Sequence, residues 1–259
     1  MTIVLIGAGN LGHHLGLRLA ECGMAPVQVY SRQLEKAGKL ADAIEARAVN
    51  DLSDIQADAD LYILAVADDA IETVAQKLAR RVERGALVVH TSGTTSSMAV
   101  GRHFSHYGVL YPLQTFSRQR PLDFGRIPIC ILGGSKENEV KLLQLAERLS
   151  EKVARIDDQQ RSRLHLAAVF INNFTNHLFS ISQELIREKG LSFDLLLPLA
   201  EETFDKIQDG QPAELQTGPA ARGDRETIRR HLNALEDLPA LREIYRRLSM
   251  SINPDLDLD

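Results

Sequence analysis

Apolar residues along this chain come in two rhythms, and the change from one to the other lays out the fold. Unbroken apolar runs stand at residues 3–6 (IVLI), 61–66 (LYILAV), 86–89 (ALVV), 108–113 (GVLYPL) and 127–132 (IPICIL). Runs this short with no polar face are expected of strands buried on both sides of a sheet. Residues 27–30, 47–49 and 152–156 add shorter strand candidates. Between them, residues 34–43, 70–80 and 137–149 place apolar side chains at helical spacing, as do Leu11, Leu15, Leu17, Leu19 and Ala20, with a turn at 52–55. Strand and helix in alternation predict an α/β fold with a Rossmann-type doubly wound, mainly parallel sheet.

After residue 157 the strand rhythm stops. Residues 159–189 hold neither proline nor glycine and keep a helical period, which predicts one helix of about 30 residues spanning roughly 45 Å. The apolar flanks Phe170, Ile171, Phe174 and Leu178 predict that much of it is buried. Further helices are expected at 194–208 (Pro198 in the first turn), from Asp224 to about 235, and at 239–250, before a frayed acidic tail at 253–259. The expected domains are therefore residues 1–157, a dinucleotide-binding sheet domain, and 158–259, an all-α domain.

The strongest local motif directly follows the first strand. Gly7-Ala8-Gly9-Asn10-Leu11-Gly12 fits G-x-G-x-x-G and opens a helix. Gly7 permits the tight turn, Gly9 leaves room for a diphosphate, and Gly12 lets helix and strand pack closely, while the unpaired helix N–H groups face the phosphates. The second strand ends in Ser31-Arg32 rather than the acid that binds an NAD ribose. A hydroxyl and a guanidinium can hold a 2′-phosphate, so NADP(H) is the expected cofactor, Arg32 otherwise being a solvated surface residue. Ala65, Val66 and Ala67 close the 61–66 strand and should line the cofactor cleft, whereas Asp68 and Asp69 read as caps for the following helix.

Candidate chemistry follows the 86–89 strand. His90-Thr91-Ser92-Gly93-Thr94-Thr95-Ser96 joins an imidazole to hydroxyls near the expected nicotinamide. Ser92 is a candidate polarising group and Thr91 a cofactor contact; the alternative is a loop with local side-chain-to-backbone bonds. On the long helix His165, Asn172 and Asn176 fall within roughly 40° of one another at about 100° per residue, a polar strip that could face substrate or be an exposed face. Asn172 and Asn176 are candidate polarising groups and His165 a candidate proton source. Asp224 reads as a helix cap, with Arg222 an alternative anion ligand. His103 and His106, three apart, find no completed ligand set, so no metal is expected.

Composition narrows the classes. With 30 basic and 35 acidic residues the net charge is −5, which gives no general attraction to nucleic acid or anionic membrane. Two cysteines, no basic leader and no apolar run near the roughly 20 residues of a membrane span point to a cytoplasmic protein.

Taken together, GAGNLG, the YSR strand end and AVADDAI (residues 65–71) resemble the broad family of pyrroline-5-carboxylate reductase, coenzyme F420-dependent NADP reductases and 6-phosphogluconate dehydrogenase-like enzymes. More closely, HTSGTTS (90–96), YPLQTFS (111–117) and GPAARGDRETIRRHL (218–232) resemble a bacterial group of NADP oxidoreductases. That group pairs a Rossmann-like domain with a C-terminal helical domain of unknown function, similar to 6-phosphogluconate dehydrogenase C-terminal domains. The resemblance implies an NADP(H) site at Gly7, Gly9, Asn10, Leu11, Gly12, Ser31 and Arg32, and a homodimer formed through the helical domain. The chain also departs from these relatives. The group often has His where Tyr111 stands, and residues 159–188 contain no lysine, which the 6-phosphogluconate branch uses on its long helix. The expected activity is hydride transfer between NADP(H) and a small polar carbonyl or imine; a sensor or scaffold that binds NADP(H) without turnover is the alternative.

Overall fold

The apolar runs pair into one eight-stranded sheet in the computed structural model, which describes residues 1–83 and 85–258. Its strands are β1 (Ile3–Ile6), β2 (Gln28–Tyr30), β3 (Arg47–Val49), β4 (Leu61–Leu64), β5 (Leu87–His90), β6 (Tyr107–Pro112), β7 (Ile129–Gly133) and β8 (Val153–Arg155). They lie in the order β3-β2-β1-β4-β5-β6-β7-β8. All neighbours are parallel except β6 and β7, where Leu110 faces Ile131 in an antiparallel register. The chain departs from β1 toward β2 and β3, then returns to its other side with β4. This reversal is the switch point at which α/β sheets bind ligands beyond their strand carboxyl ends.

Strand pleating sends alternate residues to opposite faces, and each face has its own core. Ile3, Leu5, Val29, Ile63 and Val89 pack with Leu15 of α1 (Asn10–Glu21), Leu40 of α2 (Leu34–Ile44) and Leu145 of α5 (Lys136–Leu149). Val4, Ile6, Tyr62, Leu64 and Val88 pack with Ile71 and Ala75 of α3 (Ile71–Leu78) and Val100 of the short α4 (Met98–Gly101). Each fully buried aliphatic side chain contributes about 1.5–3 kcal/mol, so the two layers fix the sheet and with it the loops at its ends.

The chain forms two compact units, Met1–Asn172 and Asn173–Asp259. Helix α6 (Asp158–Ala168), which follows the boundary expected at residue 157, belongs to the first unit. A capping box starts it: Asp157 accepts from the Gln160 N–H at 2.7 Å, and the Gln160 side chain accepts from the Asp157 N–H at 2.9 Å. Helical residues then run on to 187, but Val169–Phe174 adopt a π-helix before α7 (Thr175–Arg187). A π segment widens the turn by about one residue. The alignment of His165 with Asn172 calculated at 100° per residue therefore does not carry through it.

Two local expectations change. Asp68 and Asp69 do not cap α3; they form a 3₁₀ turn, Asp68–Ala70, without a side-chain cap bond, and Asp68 instead accepts from the Thr94 hydroxyl at 2.7 Å. The flanks of the long helix are exposed rather than buried: Phe170 is 61% and Ile171 69% exposed.

Within the second unit, α7 is followed by α8 (Leu197–Asp209), α9 (Arg225–Ala234) and α10 (Pro239–Ile252). Pro198 stands in the first turn of α8, and Asp224 caps α9 by accepting from the Thr227 N–H at 3.1 Å. A small core gathers Ala220, Ile228, Leu232 and Leu256. The tail is therefore not frayed at Leu256, and Asn253 donates to the Ala220 carbonyl at 3.0 Å. The last residue of the expected tail, 259, lies outside the described residues. Among the described residues, no helix is long and apolar enough to cross a membrane, and no group of His, Cys, Asp and Glu could hold a metal.

Candidate cofactor and substrate site

The glycine turn between β1 and α1 has the shape its spacing requires. Gly7 sits at φ +116°, a region side-chain-bearing residues rarely adopt, and a Cβ there would stand 2.1 Å from the Ala65 carbonyl oxygen. A Cβ on Gly12 would lie 2.0 Å from the Gly7 carbonyl oxygen, so helix and turn touch backbone to backbone. Around Gly9 nothing lies within 4 Å of an added Cβ, which leaves the outer side of the turn open. Gly9 is the N-cap of α1, no side chain caps the helix, and its first turn carries no acid. The free N–H groups of Asn10, Leu11 and Gly12 are thus suited to a diphosphate.

The neighbouring strand ends supply the rest of the wall. Ser31 follows β2 half-buried, its hydroxyl accepting from the Gln33 N–H at 3.3 Å. Arg32 is exposed, and its side chain makes no hydrogen bond or ion pair among the described residues. Ala65 and Val66 are half-buried and Ala67 exposed just past β4, and the Ala65 N–H bonds to the Ile6 carbonyl at 2.7 Å. Thr91 is buried, bonded through its hydroxyl to the Leu64 carbonyl at 3.3 Å. These residues fit NADP(H): an open glycine turn at one end and an uncommitted guanidinium where a ribose 2′-phosphate would need it.

Beyond β5 the hydroxyl-rich loop is held from within. The Ser92 hydroxyl accepts from the N–H groups of Thr94 at 3.1 Å and Thr95 at 2.9 Å and meets the Thr95 hydroxyl at 3.0 Å. It therefore shapes the loop, which is the local bonding weighed above against a polarising role. From α6, Asp158 accepts from the Ser97 N–H at 2.9 Å and the Ser96 hydroxyl at 2.9 Å. Arg161, 1% exposed, pairs with Asp158 at 2.7 Å and also donates to the Thr95 carbonyl. Burial opposes ionisation of Asp158, but the bonds from Ser97, Arg161 and Ser96 outweigh it and hold the carboxyl below its usual range. His90 lies beneath, wholly enclosed. Burial, reinforced by the Arg161 charge, pushes its pKa down to about 4, so at neutral pH it is an uncharged packing residue.

His165, half-buried on α6, meets the Tyr111 hydroxyl of β6 through Nδ1 at 3.0 Å. Burial pushes the Tyr111 phenol up to about 12, so it stays protonated. Gly93 packs directly on this pair: a Cβ there would fall 2.5 Å from His165 Nδ1 and 2.9 Å from Tyr111 Cζ. Imidazole, phenol and the β5 loop thus meet at the carboxyl ends of β5 and β6. Asn172 is exposed within the π segment, and Asn176, exposed in the second unit, carries the Ser180 hydroxyl on its backbone carbonyl at 3.2 Å. His106 is half-buried against the Asn138 side chain at 3.1 Å.

Residues 2–93 match the family described as NADP oxidoreductase, coenzyme F420-dependent, and residues 127–252 match a domain of unknown function (DUF2520). A candidate NADP oxidoreductase from Bacteroides fragilis is 43% identical, covering 98% of this chain and 98% of its own, with a TM-score of 0.91. The chain belongs to this NADP oxidoreductase family. Two more distant solved structures share the fold. A pyrroline-5-carboxylate reductase from Coxiella burnetii is 16% identical over 97% of this chain and 95% of its own, with a TM-score of 0.61. A reductive aminase from Aspergillus terreus, in complex with NADPH and ethyl-5-oxohexanoate, is 19% identical over 96% and 87%, with a TM-score of 0.65. No curated protein matches the chain.

In this NADP oxidoreductase, sequence reasoning passed over Arg161 and Asp158, and met Tyr111 only as a departure from the group's usual His. Arg161 and Asp158 occupy a helix start where charged residues are ordinary, and Tyr111 sits in an apolar strand run. A tyrosine buried mid-strand needs a partner for its hydroxyl, and that need was the one available signal.

Proposed function

We propose that this NADP oxidoreductase reduces a small polar carbonyl or imine, with His165 delivering the proton and Tyr111 holding the imidazole. The 3.0 Å bond between Tyr111 Oη and His165 Nδ1 carries this reading. A protonated phenol can donate to Nδ1 or accept from Nδ1–H, so the bond holds the ring in either tautomer with Nε2 turned away from Tyr111. As the general acid the ring is an imidazolium: it gives its Nε2 proton to the substrate and keeps Nδ1–H, which the Tyr111 hydroxyl accepts. The bound nicotinamide supplies the hydride. The N–H groups at the start of α1 and the Arg32 guanidinium hold its phosphates, Ala65, Val66, Ala67 and Thr91 line its cleft, and Ser92 keeps the loop beside it in shape. Asn172 is a proposed amide contact to the substrate's polar end. The fold shared with a pyrroline reductase and a reductive aminase supports an imine or carbonyl as the acceptor.

The reading extends to a homodimer. In the second unit Leu199 and Phe204 of α8 are 66% and 62% exposed, and neither α7 nor α8 has a buried residue. Exposed apolar side chains of this size are covered in an assembled protein, and a second copy of the chain is the proposed occupant. Sedimentation should give twice the chain mass.

The activity test is oxidation of NADPH at 340 nm with a panel of small ketoacids, aldehydes and cyclic imines. Turnover should fall by about 10²–10⁴-fold in His165→Ala while NADPH affinity is kept. Tight NADPH binding with no turnover on any panel member would favour the sensor reading. Turnover indifferent to His165 would remove it from the chemistry.

A further inference from the structure

The segment that follows β6 is tied to the glycine turn at three points, and one of them places a cation there. The Asn10 side chain donates to the Phe116 carbonyl at 3.0 Å, and His14 Nε2 bonds the Ser117 carbonyl at 2.9 Å. Next in the chain, the half-buried Arg118 donates through Nη2 to the carbonyl of Ala8, the residue between Gly7 and Gly9. The Phe116 ring lies against His14 with centroids 5.7 Å apart and against Phe124 at 6.1 Å, which anchors the segment on apolar contacts as well.

We propose that Arg118 is a diphosphate-binding residue of the cofactor site, a role that rests on the NADP(H) assignment and extends it. A guanidinium has five N–H donors, and one is used on Ala8. No carboxylate pairs with Arg118 among the described residues, so its charge is not neutralised by the protein. The adjacent His13 does not compete for that charge, because burial, with Arg118 and His14 adding to it, lowers its pKa and keeps it neutral. Beside Arg118, the outer side of Gly9 is open and the first turn of α1 presents N–H groups without a capping side chain. A diphosphate seated there meets backbone donors from below and a planar, fixed-charge donor from the side, the geometry that suits guanidinium–phosphate pairing. Arg118 differs in task from Arg32. It serves the diphosphate that NADPH and NADH share, whereas Arg32 serves the 2′-phosphate that only NADPH carries.

The test is calorimetric titration of the full chain and of Arg118→Ala and Arg118→Gln with NADPH, NADH and 2′-AMP. Both substitutions should weaken NADPH and NADH by a common factor of about ten to a hundred and leave 2′-AMP, which has no diphosphate, unchanged. Arg118→Lys should recover part of the loss. Circular dichroism melting checks that the variants fold, and the glutamine variant keeps the aliphatic stem if the alanine variant does not. Unchanged affinity for both dinucleotides, or an equal loss for 2′-AMP, would overturn the role of Arg118. A wild-type chain that binds no dinucleotide would instead overturn the cofactor site itself.

Discussion

The hydroxyl-rich loop after β5 rests on a histidine that the fold keeps uncharged, and acid should reveal it. His90 is 0% exposed, and burial, with Arg161 adding to it, lowers its pKa from 6.5 to about 4. In the unfolded chain the ring titrates near its ordinary value of about 6.5. Between these values the unfolded state binds a proton that the folded state refuses, so stability falls as the pH drops through that window. A gap of roughly 2.5 at about 1.36 kcal/mol per unit makes the full loss on the order of 3 kcal/mol, complete near pH 4. Asp158 works outside this window: its carboxyl lies below 3.8, so its contribution is lost only in stronger acid. His13, also lowered, acts in the same direction but is present in wild type and variant alike. His90→Gln removes the titration and keeps an acceptor for the Ser92 N–H, which now bonds Nδ1 at 3.2 Å. The chain has no tryptophan, so urea unfolding should be followed by far-UV circular dichroism, at one protein concentration, from pH 7.5 to 4. The variant, less stable at pH 7.5, should gain on wild type by on the order of 3 kcal/mol as the pH falls. Parallel stability curves would show that His90 titrates normally, and the account of this buried cluster would fail.

Two further expectations concern the site directly. Gly12→Ala puts a Cβ 2.0 Å from the Gly7 carbonyl oxygen; it should cost about 1–3 kcal/mol, lower the thermal midpoint by several degrees and weaken NADPH more than tenfold. Unaltered NADPH binding by this variant would mean the turn has slack that its geometry denies. Tyr111→Phe removes the 3.0 Å bond to His165 Nδ1 and should lower turnover at 340 nm by about tenfold with NADPH affinity kept. Unchanged turnover would remove Tyr111 from the positioning of His165.

Features set by neighbouring residues were legible in the sequence. The GAGNLG turn, the apolar strands and the Asp224 cap each depend on chemistry within a few positions, and they stand where the pattern put them. Contacts between distant residues were not legible. The Ser97–Asp158 bonds join positions 61 apart, Tyr111–His165 positions 54 apart and Arg118–Ala8 positions 110 apart, and no local pattern records them. The antiparallel entry of β7 and the π segment at Val169–Phe174 depend in the same way on tertiary packing overriding local spacing. The exposed Phe170 and Ile171 show the limit from the other side, since periodicity marks a face for covering without saying whether its own chain covers it.

The account rests on the glycine turn as a diphosphate cradle and Arg32 as the reader of the 2′-phosphate. Titration calorimetry of wild type and Arg32→Ala with NADPH and NADH tests both at once. The account predicts that wild type prefers NADPH, and that the variant loses about tenfold or more toward NADPH while NADH is almost unchanged. Equal losses for the two cofactors would contradict the assignment of Arg32, and silence of the wild-type chain toward both would contradict the site as a whole.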